Sequence, residues 1–462
     1  MSIINNDTIC AIGTRTGESA IGIVRLSGND AIKISEIFFI SNSGKPIREM
    51  DSYTMAFGHV IDERKEIVDQ VIISVMKSPK SYTREDVVEI NCHGGIIATK
   101  KVLNLCISNG ARLSDPGEFT RRAFLNGRID LTQAEAVIEI IRAKTEQSLK
   151  IAANNIKGNI KNKLENQRKE LLEILIELEA SIDFIEEDLE IVPYEDLEKR
   201  VHVIYKEIKE LVNDEKKGEL VKNGIKVAIV GKPNVGKSSL LNAISKKEKA
   251  IVTHIPGTTR DAIEEIIYLE GIPVIFIDTA GIRKSKNIIE KIGVKNSLRF
   301  IEEAEIPLVV IDASAPLDKY DEEILIKTNL DKAIICFNKI DIVNVINRND
   351  FKERFGENTI VEVSAKKGIG IKELENKIIK KISTENDFDI HDKIIINIRH
   401  KKILVEVLNC LKNSIKAMKL KMSEEFPSAD LKQAYNLIGE IIGAGASEEI
   451  INGIFEKFCI GK

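Results

Sequence analysis

The spacing of apolar positions changes character along the chain, and each change marks a segment. Over the first 126 residues, short apolar runs alternate with turn-rich stretches. Residues 20–26, 70–76 and 86–92 read as strands, and 96–108 reads as a helix that follows His93-Gly94-Gly95. Short runs bounded by turn residues are the strand signature, and a longer run is helical by length. This segment therefore predicts an α+β domain with its own core. From Asp115-Pro116-Gly117 onward the period becomes helical, with Leu131, Ala134, Val137, Ile138 and Ile141 on one face. Helical spacing continues through Leu171, Leu175 and Leu178 to Leu211, with Pro193 as the one strong breaker. Long amphipathic helices of this kind pack on one another as a bundle. Near residue 222 the pattern changes again. Apolar runs at 226–230, 273–277, 333–337 and 359–363 alternate with helical stretches as far as about Ser383. That alternation predicts a doubly wound α/β sheet. Helical spacing then resumes with Ile403, Val407, Leu408 and Leu411, and again from Asp430 to Phe458. Two helical halves flanking a complete α/β segment predict a domain inserted into an all-helical one. The expected boundaries are 1–126, 127–218, 219–386 and 387–462.

Composition narrows the class. The 462 residues are 43% hydrophobic and 30% charged, as expected of a water-soluble globular chain. Lys plus Arg is 68 against 72 for Asp plus Glu, a net charge of −4, so any RNA contact must use a local patch. Cys10, Cys92, Cys106, Cys336, Cys410 and Cys459 form no C-x-x-C pair, which predicts neither a zinc site nor a disulfide framework. Reduced thiols, no signal peptide and no apolar run of membrane-spanning length predict a cytoplasmic location without a membrane partner. Cys459 lies four from the end, but Gly461 and Lys462 fit a prenylation box poorly.

The chemistry begins at Gly231-Lys232-Pro233-Asn234-Val235-Gly236-Lys237-Ser238, which follows the run 226–230 and precedes a helix opened by Ser239 and Leu240. Strand, glycine turn and helix are the context of a phosphate loop: backbone N–H groups and the helix N-terminus hold phosphate. Lys237 would reach the β- and γ-phosphates, and the Ser238 hydroxyl would ligate Mg²⁺. Asn338-Lys339-Ile340-Asp341 ends the run 333–337. Its Asp341 carboxylate can accept two hydrogen bonds from the N1–H and 2-amino edge of guanine, a pair that adenine lacks. Ser364-Ala365-Lys366 after the next strand would back the base, with a main-chain N–H. Asp278-Thr279-Ala280-Gly281 would hold Mg²⁺ through water at Asp278 and sense the γ-phosphate at the Gly281 N–H. Each motif is short, but their order on alternating strands predicts GTP and GDP binding, as in translation-factor-related GTPases.

Two features depart from the common GTPase pattern. The residue after Asp278-Thr279-Ala280-Gly281 is Ile282, which has no polar group to orient the attacking water. Glu290 is the nearest substitute, although its pattern alone reads as an exposed helix residue. The stretch Thr253-His254-Ile255-Pro256-Gly257-Thr258-Thr259-Arg260-Asp261 stands where a first switch belongs, with Thr259 placed to close on Mg²⁺. It is dense in oxygen ligands, and with Asn234 it has the groups to hold a monovalent cation against the phosphates. Such a charge can do what an arginine finger does, worth on the order of 10³–10⁵ in rate.

Taken together, Gly257-Thr258-Thr259-Arg260-Asp261, Asp278-Thr279-Ala280-Gly281, Phe124-Leu125-Asn126-Gly127, Leu131-Thr132-Gln133-Ala134-Glu135-Ala136 and Cys459-Ile460-Gly461-Lys462 give a resemblance over the whole length. The chain resembles the bacterial tRNA-modification GTPases of the MnmE (TrmE) family. The resemblance implies a homodimer working with the flavoprotein MnmG. The pair adds an aminomethyl or carboxymethylaminomethyl group to carbon 5 of the tRNA wobble uridine, with a folate one-carbon unit supplying the methylene. It implies that Arg25, Glu89, Arg128 and Lys462 hold 5-formyl- or methylene-tetrahydrofolate, although Arg25 and Glu89 by pattern alone read as solvated strand residues. It further implies K⁺ ligation by Asn234, Thr253, the Ile255 carbonyl and Thr258, and Mg²⁺ ligation by Ser238 and Thr259. Glu290 becomes the water-orienting residue, and Cys459 a functional cysteine. Arg128 stands where some members carry Lys, which keeps the charge and alters the hydrogen-bond geometry.

Two other readings compete. A GTP-switched ribosome-assembly protein would carry much the same GTPase motifs, but no KH-type glycine loop stands out here. A self-associating scaffold would use the N-terminal segment only to dimerise.

Overall fold

The structure is a computed structural model that describes residues 7–143, 145–183, 193–247, 263–269, 272–278, 304–342, 345–355, 359–385 and 396–462. It divides into two compact units, one of Met1–Ile141, Ala153–Lys206 and Lys402–Lys462, the other of Arg142–Ala152 and Glu207–Lys401.

The first unit opens with β1 (Ile9–Ile12), β2 (Ser19–Ser27), α1 (Ala31–Phe38), β3 (Phe39–Ser41), β4 (Thr54–Ile61), β5 (Ile67–Met76), β6 (Val87–Gly94), α2 (Ile96–Ser108), β7 (Arg112–Leu113) and α3 (Glu118–Leu125). The strands form one sheet in the order β3-β4-β5-β6-β2-β1-β7, antiparallel except where β1 meets β7. Period-two alternation sends Val24, Leu26, Val88, Ile90 and Cys92 to one face, where they form a core with Ile34 and Phe38 of α1 and Val102 and Leu105 of α2. The alternate residues fall on the other face. There Arg25 and Glu89 stand directly opposite each other on β2 and β6. Phe119 of α3 packs on that face against Ile9, Ala11 and Tyr82.

The helices α4 (Leu131–Arg142), α5 (Glu146–Ile156), α6 (Asn159–Asp183) and α7 (Tyr194–Asn223) follow. The expected continuous helical run is interrupted before Asn159, where Gly158 adopts φ 86° and ends a turn closed by its N–H on the Asn155 carbonyl. No helix among the described residues is long and apolar enough to cross a membrane.

The second unit carries β8 (Ile225–Val230), α8 (Lys237–Lys247), β9 (Ile263–Leu269), β10 (Ile272–Asp278), β11 (Ile306–Asp312), α9 (Lys319–Lys327), β12 (Ile334–Asn338), α10 (Arg348–Phe355), β13 (Thr359–Glu362) and α11 (Ile371–Glu385). Its sheet order is β13-β12-β11-β8-β10-β9, parallel except for β9 on β10. Both faces are covered, α8 and α11 packing on one and α9 and α10 on the other. A parallel sheet buried on both faces explains why these strands read as continuous apolar runs. The strands β9 and β11 were not singled out from the sequence. The chain ends in α12 (Ile398–Lys419), α13 (Glu425–Ile442) and α14 (Glu448–Phe455). α13 begins earlier than the spacing from Asp430 indicated, and Gly443 at φ 95° ends it. The fold is thus a doubly wound P-loop sheet inserted within a helical domain, preceded by an α+β domain.

Candidate functional site

Sheet order puts the nucleotide motifs at one edge. In an open α/β sheet, ligands bind beyond the carboxyl ends of the strands. β8 ends into the phosphate loop, and β10 ends at Asp278, the partner of Ile229 in the ladder. β12 ends at Asn338, with β11 beside it ending at Asp312. The loop turns through Asn234 at φ 63° and Gly236 at φ 96°. A Cβ on Gly236 would lie 2.4 Å from the Asn338 amide nitrogen, so only glycine fits there. Lys237 opens α8, is 7% exposed, and donates from Nζ to the carbonyls of Gly231 (2.7 Å) and Lys232 (2.9 Å). Ser238 and Ser239 follow it, exposed at the helix start. Lys232 is held by Asp318 (2.9 Å) and Asp321 (2.8 Å), tying the phosphate loop to the start of α9.

The base end is assembled by one buried amide. Asn338 donates from Nδ2 to the Val235 carbonyl (2.8 Å), and its Oδ1 accepts from the Ala365 N–H (3.0 Å). Phosphate loop, β12 and the Ser364-Ala365-Lys366 turn are thereby fixed to one another. Asp341 accepts from Ser364 Oγ at 2.7 Å, and that hydrogen bond holds its carboxyl below the usual carboxylate range. An ionised carboxylate is the form that accepts two donors. Lys339 pairs with Asp312 at 2.6 Å. Burial works against ionisation of Asp312, but hydrogen bonds from Lys339 and Ser314 outweigh it and keep its pKa low.

A second group of candidates meets on the open face of the N-terminal sheet. Arg25 donates from Nε to Glu89 Oε1 (2.8 Å) and from Nη1 to the Gly461 carbonyl (3.2 Å). Its guanidinium lies 5.7 Å from the Phe119 ring centre, and that of Arg128 lies 4.9 Å from the Tyr82 ring. Tyr82 is bonded to Thr120 at 3.0 Å. Lys462 is half-buried, and burial, then the charge of Arg25, bring its ammonium below the usual lysine range. The tail carrying Lys462 is seated by Gly461, at φ 89°, where a Cβ would lie 2.6 Å from the Ile12 carbonyl. Cys459 is exposed, and its carbonyl accepts from the Gly117 N–H at 3.4 Å.

Arg25, Glu89, Arg128 and Lys462 are thus grouped, as are Asn234, Val235, Gly236, Lys237, Ser238, Ser239, Asn338, Lys339, Asp341, Ser364, Ala365 and Lys366. Thr253, His254, Ile255, Pro256, Gly257, Thr258, Thr259, Thr279, Ala280, Gly281, Ile282 and Glu290 lie outside the described residues, as does the side chain of Asp278. The structure adds Lys232, Asp312, Asp318 and Asp321 to the nucleotide edge, and Tyr82, Phe119 and Gly461 to the other group. Of these, Lys232 lies within the phosphate-loop motif and Gly461 within the Cys459–Lys462 motif; the others carry no spacing signal.

Known proteins match over both groups. The family described as GTP-binding protein TrmE N-terminus matches residues 8–128, and the family described as MnmE helical domain matches 131–459. The tRNA modification GTPase MnmE of Thermoanaerobacter pseudethanolicus is 45% identical over 457 residues, covering 99% of each chain. Those of Carboxydothermus hydrogenoformans and Clostridioides difficile are 44% identical over 458 residues and 43% over 460, again covering 99% of each chain. With the N-terminal sheet, the helical segments and the inserted GTPase sheet all accounted for in one colinear match, the chain belongs to the MnmE (TrmE) family of tRNA modification GTPases.

Proposed function

We propose that the chain hydrolyses GTP at the carboxyl edge of the β8–β13 sheet and uses that turnover in modifying the wobble uridine of tRNA. The observation that carries this reading is the Asn338 amide, which joins the phosphate loop at Val235 to the base loop at Ala365 and leaves the Asp341 carboxylate beside it. Phosphate and guanine recognition are thereby one rigid construction. The test is Asp341→Asn. An amide accepts one hydrogen bond and donates one, so it no longer matches the two donors of guanine but suits xanthine. GTP turnover is expected to fall about 100-fold or more in kcat/KM, with xanthosine triphosphate becoming the better substrate. Unchanged use of GTP would overturn the assignment.

Mg²⁺ is assigned to Ser238 and Thr259, with Asp278 acting through water. K⁺ is assigned to Asn234, Thr253, the Ile255 carbonyl and Thr258, and the orientation of water to Glu290. In support, Asn234 is exposed in the loop and Ser238 is exposed in the first turn of α8 after Lys237, as a phosphate-bound cation needs. A reduced folate is assigned to Arg25, Glu89, Arg128 and Lys462. A partly buried carboxylate paired with a guanidinium is the chemistry that recognises a pterin amino edge, and Tyr82 and Phe119 offer apolar surface beside it. When bound, the folate supplies the methylene carbon. This chain's residues would hold and orient it, with Cys459 on the tail docked beside Arg25. A homodimer, the flavoprotein MnmG, tRNA and a cytoplasmic setting complete the proposal, with domains at 1–126, 127–218, 219–386 and 387–462.

A further inference from the structure

Among the described helices, α12 carries the largest net positive charge. Over Ile398–Lys419 it carries Arg399, Lys401, Lys402, Lys412, Lys416 and Lys419 against the single carboxylate of Glu406. Its apolar residues Leu404, Val407, Leu411 and Met418 are buried, and Lys402, Lys412, Lys416 and Lys419 are exposed. At helical geometry these four lysines fall within about 100° of arc and along about 25 Å of axis. They form one stripe.

Several cations of α6 and α7 are paired with carboxylates. On α6, Lys161 pairs with Glu165 and Lys169 with Glu173, while Arg200 of α7 pairs with Glu170 and Glu177. On α12, Lys419 reaches Glu198 at 3.4 Å, whereas Lys402, Lys412 and Lys416 meet no carboxylate among the described residues. Glu406 stands one helical turn after Lys402 without an ion pair to it, and Asp430 of α13 is hydrogen-bonded to Asn413. In a chain of net charge −4, a line of uncompensated lysines repels itself unless an anion lies along it. The first turn of α13 adds an exposed ring, Phe426, 55% accessible, and the turn after α12 adds Lys421. Tyr194 steadies that turn by donating to the Met422 carbonyl at 3.0 Å. A line of cations ending in an exposed aromatic ring matches a nucleic-acid strand, with phosphates along the helix and an unstacked base at the ring.

We propose that the stripe Lys402–Lys412–Lys416, with Phe426 at its end, is where this chain meets the sugar–phosphate backbone of tRNA. The inference rests on the tRNA-modification reading and adds the location of the RNA. The test is equilibrium binding of the full chain to an unmodified tRNA transcript with a wobble uridine, across a range of salt concentrations. The variant replaces all three lysines with Gln (Lys402→Gln, Lys412→Gln, Lys416→Gln). The slope of log affinity on log salt is expected to fall by about 2 to 3, from three contacts at about 0.7–0.9 each, and affinity about 10-fold or more. GTP turnover without RNA and thermal melting should match the parent. A Lys161→Gln, Lys169→Gln control, which removes paired lysines, should bind tRNA as the parent does. A melting-competent triple variant with parental affinity and slope would overturn the stripe alone. A parent that does not bind the transcript would remove the tRNA reading, and the stripe with it. Intact tRNA binding with lost capture of an acidic protein would also overturn the proposal, in that protein's favour.

Discussion

Asn234 stands in the phosphate loop with a left-handed backbone, at φ 63°. Asparagine tolerates that conformation better than most residues, and its exposed amide is free to turn toward a cation. With Ile282 in the place of a water-orienting Gln, hydrolysis is expected to run about 10-fold or more faster in KCl than in NaCl. Asn234→Gly should lose most of that difference while keeping the loop conformation, which Ala would strain. Equal turnover of the parent in the two salts, or a glycine variant with a full potassium response, would remove the cation assignment. On the other unit, Glu89 is bound to Arg25 at 2.8 Å and is held opposite it by strand register. Glu89→Gln keeps the shape and removes the charge. Calorimetry with 5-formyl-tetrahydrofolate is expected to show binding by the parent and at least about 10-fold weaker binding by the variant. Undiminished heat would return Glu89 to the role of a solvated strand residue.

At the level of elements, α3 is fastened to the N-terminal sheet by charge as well as by Phe119. Arg122 pairs with Asp7 (2.7 Å) and Glu118 (3.0 Å), and Arg112 pairs with Glu118 (2.6 Å) and Asp7 (2.8 Å). Burial pushes both carboxyls up, but the hydrogen bonds and charges of the two arginines outweigh it, so Asp7 and Glu118 titrate below their ordinary values. A folded-state pKa below the unfolded one means the stabilisation is fully present above about pH 4–4.5. It is lost as pH falls through the lower folded values. Glu118→Gln should therefore cost about 2 kcal/mol near neutral pH and flatten the acid limb of stability against pH. Denaturant midpoints between pH 7 and pH 3 are the measurement. An acid limb parallel to the parent's would show that this network does not govern acid unfolding.

On the scale of the whole molecule, the two ends of the chain meet. The tail after α14 is held by Phe455 and Phe458 against Phe124 and Leu131, and then by Arg25 on the Gly461 carbonyl. Cys459 is therefore presented beside the N-terminal sheet although 434 positions separate it from Arg25. The nucleotide edge uses no thiol. Cys459→Ser is expected to abolish wobble modification and leave the GTPase rate within about two-fold of the parent. Wobble-nucleoside profiles and GTP turnover of the same purified variant decide the matter. Normal modification would make the thiol dispensable, and loss of both activities would mean a folding defect.

Local chemistry was legible in the sequence because it is local. A phosphate loop needs its glycines, lysine and hydroxyl in consecutive positions, and Asn338 and Asp341 must share one strand end. Apolar periodicity likewise revealed the parallel sheet and the helical halves, since burial on two faces or one writes itself into spacing. What spacing cannot encode is which distant residues become neighbours. Lys232 with Asp321, Arg25 with Gly461, and Tyr82 under Arg128 depend on strand order and on where the tail comes to rest. The cations of α12 are as numerous in the sequence as in the structure. The pairs Lys161–Glu165 and Lys169–Glu173 stand one helical turn apart and are already written in the sequence, but only packing decided that Arg200 of α7 would meet Glu170 and Glu177 of α6, because pairing between elements is a matter of a few ångströms and not of order along the chain.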